Sequence, residues 1–189
     1  MIATRQQIKN LLQITSSDYD AVITDMIPIV QSQIIDYCTN RFLDPRVYYV
    51  SSGIEFVAGS PATITDSESG FVTAHFYDGM DVFISGSYNN NGHFEVDDVA
   101  AGTLTLDLRE TLVNEDESTG VAFYKVDFPK GLVLPFSKMI NYNLQKDSAK
   151  GYKSKSLADY SVTFADVGGA EYPTNIVGGL KPYRRLKWQ

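Results

Sequence analysis

The chain of 189 residues is poor in the side chains that do most catalytic and metal-binding work: two histidines, one cysteine and one tryptophan. A single cysteine, Cys38, excludes an internal disulfide, and its place in an apolar helical stripe reads as a small buried hydrophobe. His75 and His93 both fall in strand-like sequence, and no third ligand stands near the His93 and Glu95 pair to complete a metal site. P-loop, GxGxxG and GxSxG patterns are missing. Gly168-Gly169 and Gly178-Gly179 lack both a following Lys-Ser/Thr and a strand-to-helix setting. Adjacent acids such as Asp97-Asp98 and Glu115-Asp116-Glu117 would point to opposite faces of a strand, which suits solvation better than paired acid–base chemistry. The sequence therefore reads as a non-enzyme, with no cofactor and no metal. No apolar run approaches the length of a membrane span. The start, Met1 to Gln7, has no basic stretch leading into an apolar one, so no signal peptide is expected and synthesis is placed in a reducing cytoplasm.

Positive charge is also scarce in one place. Residues 51–128 carry 14 Asp/Glu against only Arg109 and Lys125, whereas residues 138–189 carry nine Lys/Arg against four acids. An acidic middle and a basic end do not suit the same partner.

What is there follows a clear order. Thr4-Arg5-Gln6-Gln7 has the form of a capping box, followed by Ile8, Leu11 and Leu12 at helical spacing. A second start signal at Ser16 to Asp20 leads into Tyr19, Ile23, Met26, Val30, Ile34, Tyr37 and Cys38, a long helix over about 18–41 with Pro28 inside it. Ile27, Ile29 and Ile35 widen its apolar stripe, so the helix is expected to pack on two neighbours, one of them another subunit. From Val47 to Phe128 the pattern shifts to short runs of Val, Ile, Phe, Tyr and Thr. Strands are expected at Val47–Val50, Ile54–Val57, Ala62–Thr65, Phe71–Phe76, Asp81–Ser85, His93–Val99, Thr103–Leu106 and Val121–Val126, with a turn over Asn114–Gly120. Helical period returns with Leu132, Phe136, Ile140 and Leu144, Pro135 being tolerated in a first turn. A Ser/Lys-rich loop, a strand-like Tyr160 to Phe164 and a basic, aromatic end follow.

The fold class is thus α+β: two N-terminal helices and one later helix form a scaffold over 1–46 and 129–165. Residues 47–128 form an inserted, small antiparallel β-barrel or sandwich, and 166–189 an extended C-terminal tail. The centre of the insertion is the hairpin Asp81 to Val96. Val82 and Ile84 share a face, Phe94 and Val96 do the same, and Asn91 and Gly92 are the residues expected to take positive φ in the turn. Ser87, Asn89, Asn91, Gly92 and Asp98 have the spacing of a calcium loop, but Ser replaces the first Asp, Asp replaces the last Glu, and strands flank it, so it reads as a turn. At the tail, Lys181, Arg184, Arg185 and Lys187 are interleaved with Tyr183, Leu186 and Trp188, a combination suited either to nucleic acid or to an acidic protein groove with aromatic anchors. Overall acidity argues against a dedicated nucleic-acid binder.

Leu11 to Thr15, Asp18 to Asp20 and the helix ending Ile34 to Phe42 resemble the opening of the head–tail connector (adaptor) proteins of long-tailed bacteriophages. Asp81-Val82, Ile84 to Ser87, Asn91 to Val96 and Thr103 to Leu106 resemble a β module inserted in some members. Met139 to Tyr142, Ser154 to Ser156, Asp159 to Phe164 and Leu180 to Arg184 resemble the closing part. The resemblance implies a structural virion protein at the head–tail interface: a homo-oligomeric ring, dodecameric like the portal it docks on and compatible with a monomer in free solution. The other face would receive the tail or a stopper (head-completion) protein. DNA would pass through the channel without sequence-specific binding, and no membrane is involved. Lys181, Tyr183, Arg184, Arg185, Leu186, Lys187 and Trp188 would bind the portal, and Ile23, Ile27, Val30, Ile34 and Ile35 would serve as mixed core and ring interface. The acidic module, with Glu95, Asp97 and Glu110, is expected to face outward because so many strand acids need solvent. The competing reading is a virion attachment or carbohydrate-binding β module on a helical base.

Overall fold

Thr4 opens α1 (Arg5–Leu12) as the sequence predicts: its hydroxyl accepts the Gln7 N–H, and the Gln7 side chain accepts the Thr4 N–H. The left-handed Gln13 ends the helix. The second helix, α2 (Asp20–Cys38), starts without a side-chain cap and runs through Pro28, which lies on the exposed side. There the missing N–H costs no buried partner. Lys9 of α1 reaches Asp20 in the first turn of α2, and this contact lowers the Asp20 pKa. A short 3-10 turn, Lys130–Leu132, leads into α3 (Val133–Ser148), so Pro135 does fall in a first turn.

The computed structural model describes residues 1–118, 120–148, 154–157, 160–163 and 172–185. It separates into a helical unit, Met1–Asn40 with Phe128–Gln189, and a β unit, Arg41–Asp127. In the helical unit α1, α2 and α3 share a core that includes Ile8, Ile23, Ile34, Phe136 and Ile140. Tyr172 closes it: its hydroxyl donates to Gln33 of α2 and accepts from Asn143 of α3, at 2.7 and 2.8 Å. The expected Ser/Lys loop holds a strand, β9 (Ser154–Leu157), paired antiparallel with β10 (Tyr160–Thr163). The segment expected as an extended tail is instead helical over much of its described part, with α4 (Thr174–Val177) followed by a 3-10 helix, Gly178–Tyr183. No helix among the described residues is long and apolar enough to cross a membrane.

The β unit contains β1 (Leu43–Ser51), β2 (Ile54–Val57), β3 (Thr63–Asp66), β4 (Asp81–Ser85), β5 (Gly92–Ala100), β6 (Thr103–Leu106), β7 (Glu115–Ser118) and β8 (Val121–Val126). They form one antiparallel sheet in the order β1-β8-β4-β5-β6-β3-β2-β7, with β1 and β7 as its edges, so the sheet is open. The α+β class therefore holds. The longest shared strand is β5: its first half pairs with β4, and its second half, past a register shift between Val96 and Asp98, pairs with β6. Side chains from both halves of the sheet, among them Ile54, Ile64, Ile84, Leu104 and Phe123, meet in one core. Val82, Ile84 and Val96 are buried in it and Phe94 packs beside it, as the alternation predicts.

Two expected elements of the β unit differ. Phe71–Phe76 is not a strand but a helical type of turn, with Ala74 N–H bonding Gly70 O and Phe76 N–H bonding Phe71 O. Asp66, 4% exposed, decides this. Its carboxylate accepts from Tyr49 Oη (2.9 Å), Ser51 Oγ (2.7 Å), Glu68 N–H (3.1 Å) and Gly70 N–H (2.8 Å). Side-chain capping of this kind overrides the β propensity of the following Phe-Val-Thr. Gly70 is required for room, since a Cβ there would lie 2.3 Å from the Tyr49 ring. The turn still sends Phe71 and Phe76 into the core, edge-on to one another. The second miss is β7, expected as a turn: it is an acidic edge strand that pairs only with β2, and edge strands need no apolar alternation.

Burial pushes the Asp66 carboxyl up, but the hydrogen bonds from Gly70, Ser51, Tyr49 and Glu68 together hold it below the ordinary aspartate value. Stability from this site is present above that ordinary value and is lost as pH falls through the lower folded value. Asp66→Asn would set an amide NH2 against N–H and O–H donors. It is expected to destabilise the β unit by about 2 kcal/mol in urea unfolding and to flatten this acid limb.

Candidate functional site

The basic C-terminal segment is seated on the helical unit by its backbone and its apolar members. Leu180 is fully buried, and its carbonyl accepts the Cys38 thiol. Asn40 Nδ2 donates to Tyr183 O at 3.2 Å, and Arg185 N–H donates to Cys38 O at 2.8 Å. The Tyr183 hydroxyl lies so near Gly131 that a Cβ there would sit 2.0 Å from it, so any larger residue would force the tyrosine to shift. Arg184 stacks its guanidinium 5.1 Å from the centroid of Tyr37. Lys181, Arg184 and Arg185 are exposed and Tyr183 is half-buried, which leaves three cations presented from a fixed backbone. Leu186, Lys187 and Trp188 lie outside the described residues. Cys38 itself is fully buried, and burial raises its thiol pKa, as befits a core residue and not a nucleophile.

The long-helix stripe resolves into two parts. Ile23, Ile27, Val30 and Ile34 are buried within the helical unit and are spoken for as core; Ile35 is half-buried. The large apolar residues that α2 leaves exposed are Val22 (41%) and Ile29 (58%), with Ile35 partly accessible.

In the β unit the turn between β4 and β5 is held by an acid that the sequence reading treated as solvated. The Glu115 carboxylate accepts from Ser87 Oγ (3.0 Å), Tyr88 N–H (2.7 Å), Asn89 N–H (3.1 Å) and Asn90 Nδ2 (3.0 Å). Donors facing a carboxylate are the reverse of a calcium loop, which must offer oxygens. The positive φ falls on Gly86 (93°) and Gly92 (156°), and Asn91 has none. Asn91 instead donates to Ser87 O from its side chain.

The strand acids are less exposed than their number suggests. Asp97 is exposed, but Glu95 and Glu110 are half-buried, and burial raises both carboxyls. Arg109 serves the group, donating from Nη2 to Glu95 at 2.9 Å and from Nε to Asp107 at 2.6 Å, while Glu110 accepts the Glu95 N–H at 3.0 Å. Among the described residues no group of three or more His, Cys, Asp or Glu side chains is arranged to hold a metal ion.

No protein-family model matches the chain, and no curated protein matches it in sequence.

The two histidines separate. His75 is an exposed turn residue at φ 67°, not a strand residue. His93 stands in β5 with its ring 5.0 Å from Phe83, whose other neighbour is the Arg41 guanidinium at 4.4 Å. Burial, and secondly the Arg41 charge, push its pKa from 6.5 down to about 4. The folded imidazole thus stays neutral where the unfolded one takes up a proton, so this site costs stability as pH falls below 6.5 and levels off below about 4. Proton NMR should show His93 titrating near pH 4. Arg41→Ala should move His93 upward. A His93 titration close to 6.5 would contradict the burial described.

Proposed function

We propose that the chain is a structural head–tail adaptor of a long-tailed bacteriophage virion. In this reading the helical unit is the adaptor scaffold, and the β unit is its inserted small barrel or sandwich. The subunits form a ring docked on the portal, with the tail or a stopper protein on the other side and DNA passing through without sequence-specific contact. The observation that carries the reading is the seating of residues 180–185. An apolar plug at Leu180 and two backbone-directed hydrogen bonds fix the segment, while Lys181, Arg184 and Arg185 remain exposed. A short cationic strap with restrained backbone suits docking on an acidic partner, because less conformational freedom is lost on binding. Its role is recognition and not chemistry.

The charge division supports the same reading. The β unit holds 15 Asp/Glu against four Lys/Arg, a balance of −11, while the helical unit holds 12 Lys/Arg against eight acids, +4. Facing outward around a ring, the strongly negative β units would mark a contact for a basic partner.

The burial of Leu180 shapes the test. Truncation at that residue would open the helical core, so docking must be probed by substitution farther out. A triple charge reversal, Lys181→Glu with Arg184→Glu and Arg185→Glu, should leave the circular dichroism spectrum and the unfolding midpoint close to wild type. It should abolish co-sedimentation with purified portal rings. Portal binding at wild-type strength by the folded variant would remove the basis for the reading.

A further inference from the structure

Tyr88 is 89% exposed, more than any other large apolar or aromatic side chain described. It does not sit on a loose loop. Its own N–H and that of Asn89 donate to Glu115, the Asn90 N–H donates to Ser87 Oγ at 2.6 Å, and Asn90 exchanges two hydrogen bonds with the Val113 backbone at 2.8 and 2.9 Å. Gly86 lets the turn pass close to Gly120, whose carbonyl would lie 2.7 Å from a Cβ at that position. A tyrosine on a backbone this firmly held has only its two side-chain torsions left to fix on contact. That is the economy which makes aromatic anchors effective at interfaces. Exposed Val113, at 56%, adds apolar surface beside the loop, and exposed Asp116 adds negative charge.

The complementary surface lies on the other unit. Leu134 is 50% exposed in the first turn of α3, with exposed Lys138 four residues on and exposed Lys130 four residues before it. An apolar side chain between two lysines suits an aromatic ring carried on an acidic surface: the ring takes the leucine, and the cations meet both the ring face and the surrounding carboxylates. The two units also carry net charges of opposite sign, −11 and +4, so a second copy of this chain presents the cationic partner that the Tyr88 loop needs.

We infer that the Tyr88 loop of one copy docks on the Lys130–Leu134–Lys138 face of a second copy, as a head-to-tail contact. This rests on the ring reading above and names the contact between neighbours. Because the two surfaces differ, each copy offers one of each, and the contact propagates until it closes into a ring. It leaves Lys181, Arg184 and Arg185 available to a different partner.

Sedimentation of the full-length chain at increasing concentration tests this. Wild type should self-associate, and less so in high salt. Tyr88→Ala and Leu134→Asp should each weaken association by about thirtyfold or more, with Lys138→Glu as a second change on the same face and Tyr88→Phe retaining most of the affinity. Unfolding midpoints check that each variant is folded. Mixing Tyr88→Ala with Leu134→Asp restores one good contact per pair, so the mixture should form one-to-one dimers and grow no further. A wild-type chain that stays monomeric, a Tyr88→Ala variant that assembles like wild type, or a mixture that fails to dimerise would each overturn the inference. Portal co-sedimentation on the same samples keeps the two readings apart. A chain that docks on portal without self-associating defeats only this contact, and one that self-associates through Tyr88 without docking defeats only the adaptor reading.

Discussion

Backbone hydrogen bonding along β5 is the constraint on which the β unit depends. One strand serves two neighbours in succession, β4 over its first half and β6 over its second, and the shift between Val96 and Asp98 turns it from one to the other. An irregularity of this kind bends the strand and adds to the twist of the sheet around it. With it, residues as far apart in the sheet as Phe56 and Phe123 share one core. The Tyr88 loop at the start of β5 and the Arg109 cluster at Glu95 near its middle take their positions from this strand.

Carboxylates are the second organising element, and they act in an unexpected way. A unit with so many acids would ordinarily be read as a solvated surface. Here Asp66 and Glu115 are internal fasteners, each gathering four donors, and Glu95 and Glu110 are brought in from water with Arg109 beside them. Charge-assisted hydrogen bonds are the strong members of their class, and loops rich in Ser, Asn and Gly offer many N–H groups that need an acceptor. The acids therefore do two jobs, since those inside set loop geometry and those outside set the field.

The legibility of the fold in the sequence follows the same physics. Periodic apolar patterns and turn dipeptides located α1, α2, α3 and most of the sheet strands, because those elements are shaped by burial on one face. The 71–76 turn escaped because its cause is Asp66, five residues upstream of Phe71, acting through hydrogen bonds that leave no periodic trace. The edge strand β7 escaped because an edge of acidic residues has no apolar side to show. The basic tail was visible as composition, but its seat was not. The pairings of Leu180 with Cys38 and of Tyr183 with Asn40 join residues 142 and 143 positions apart. The apolar stripe of α2 was visible too, while its division into buried Ile23 and exposed Ile29 required the neighbouring helices. Tyr88 carried no sequence signal beyond standing in a turn; its significance comes from the network beneath it.

The β unit begins and ends almost at one point, since the Asp127 N–H donates to Phe42 O at 2.8 Å. A segment with such adjacent ends is interchangeable. Ends this close together are the geometry that tolerates exchange of a whole segment. Related chains could then diverge in this unit by whole-module replacement while their helices change only residue by residue.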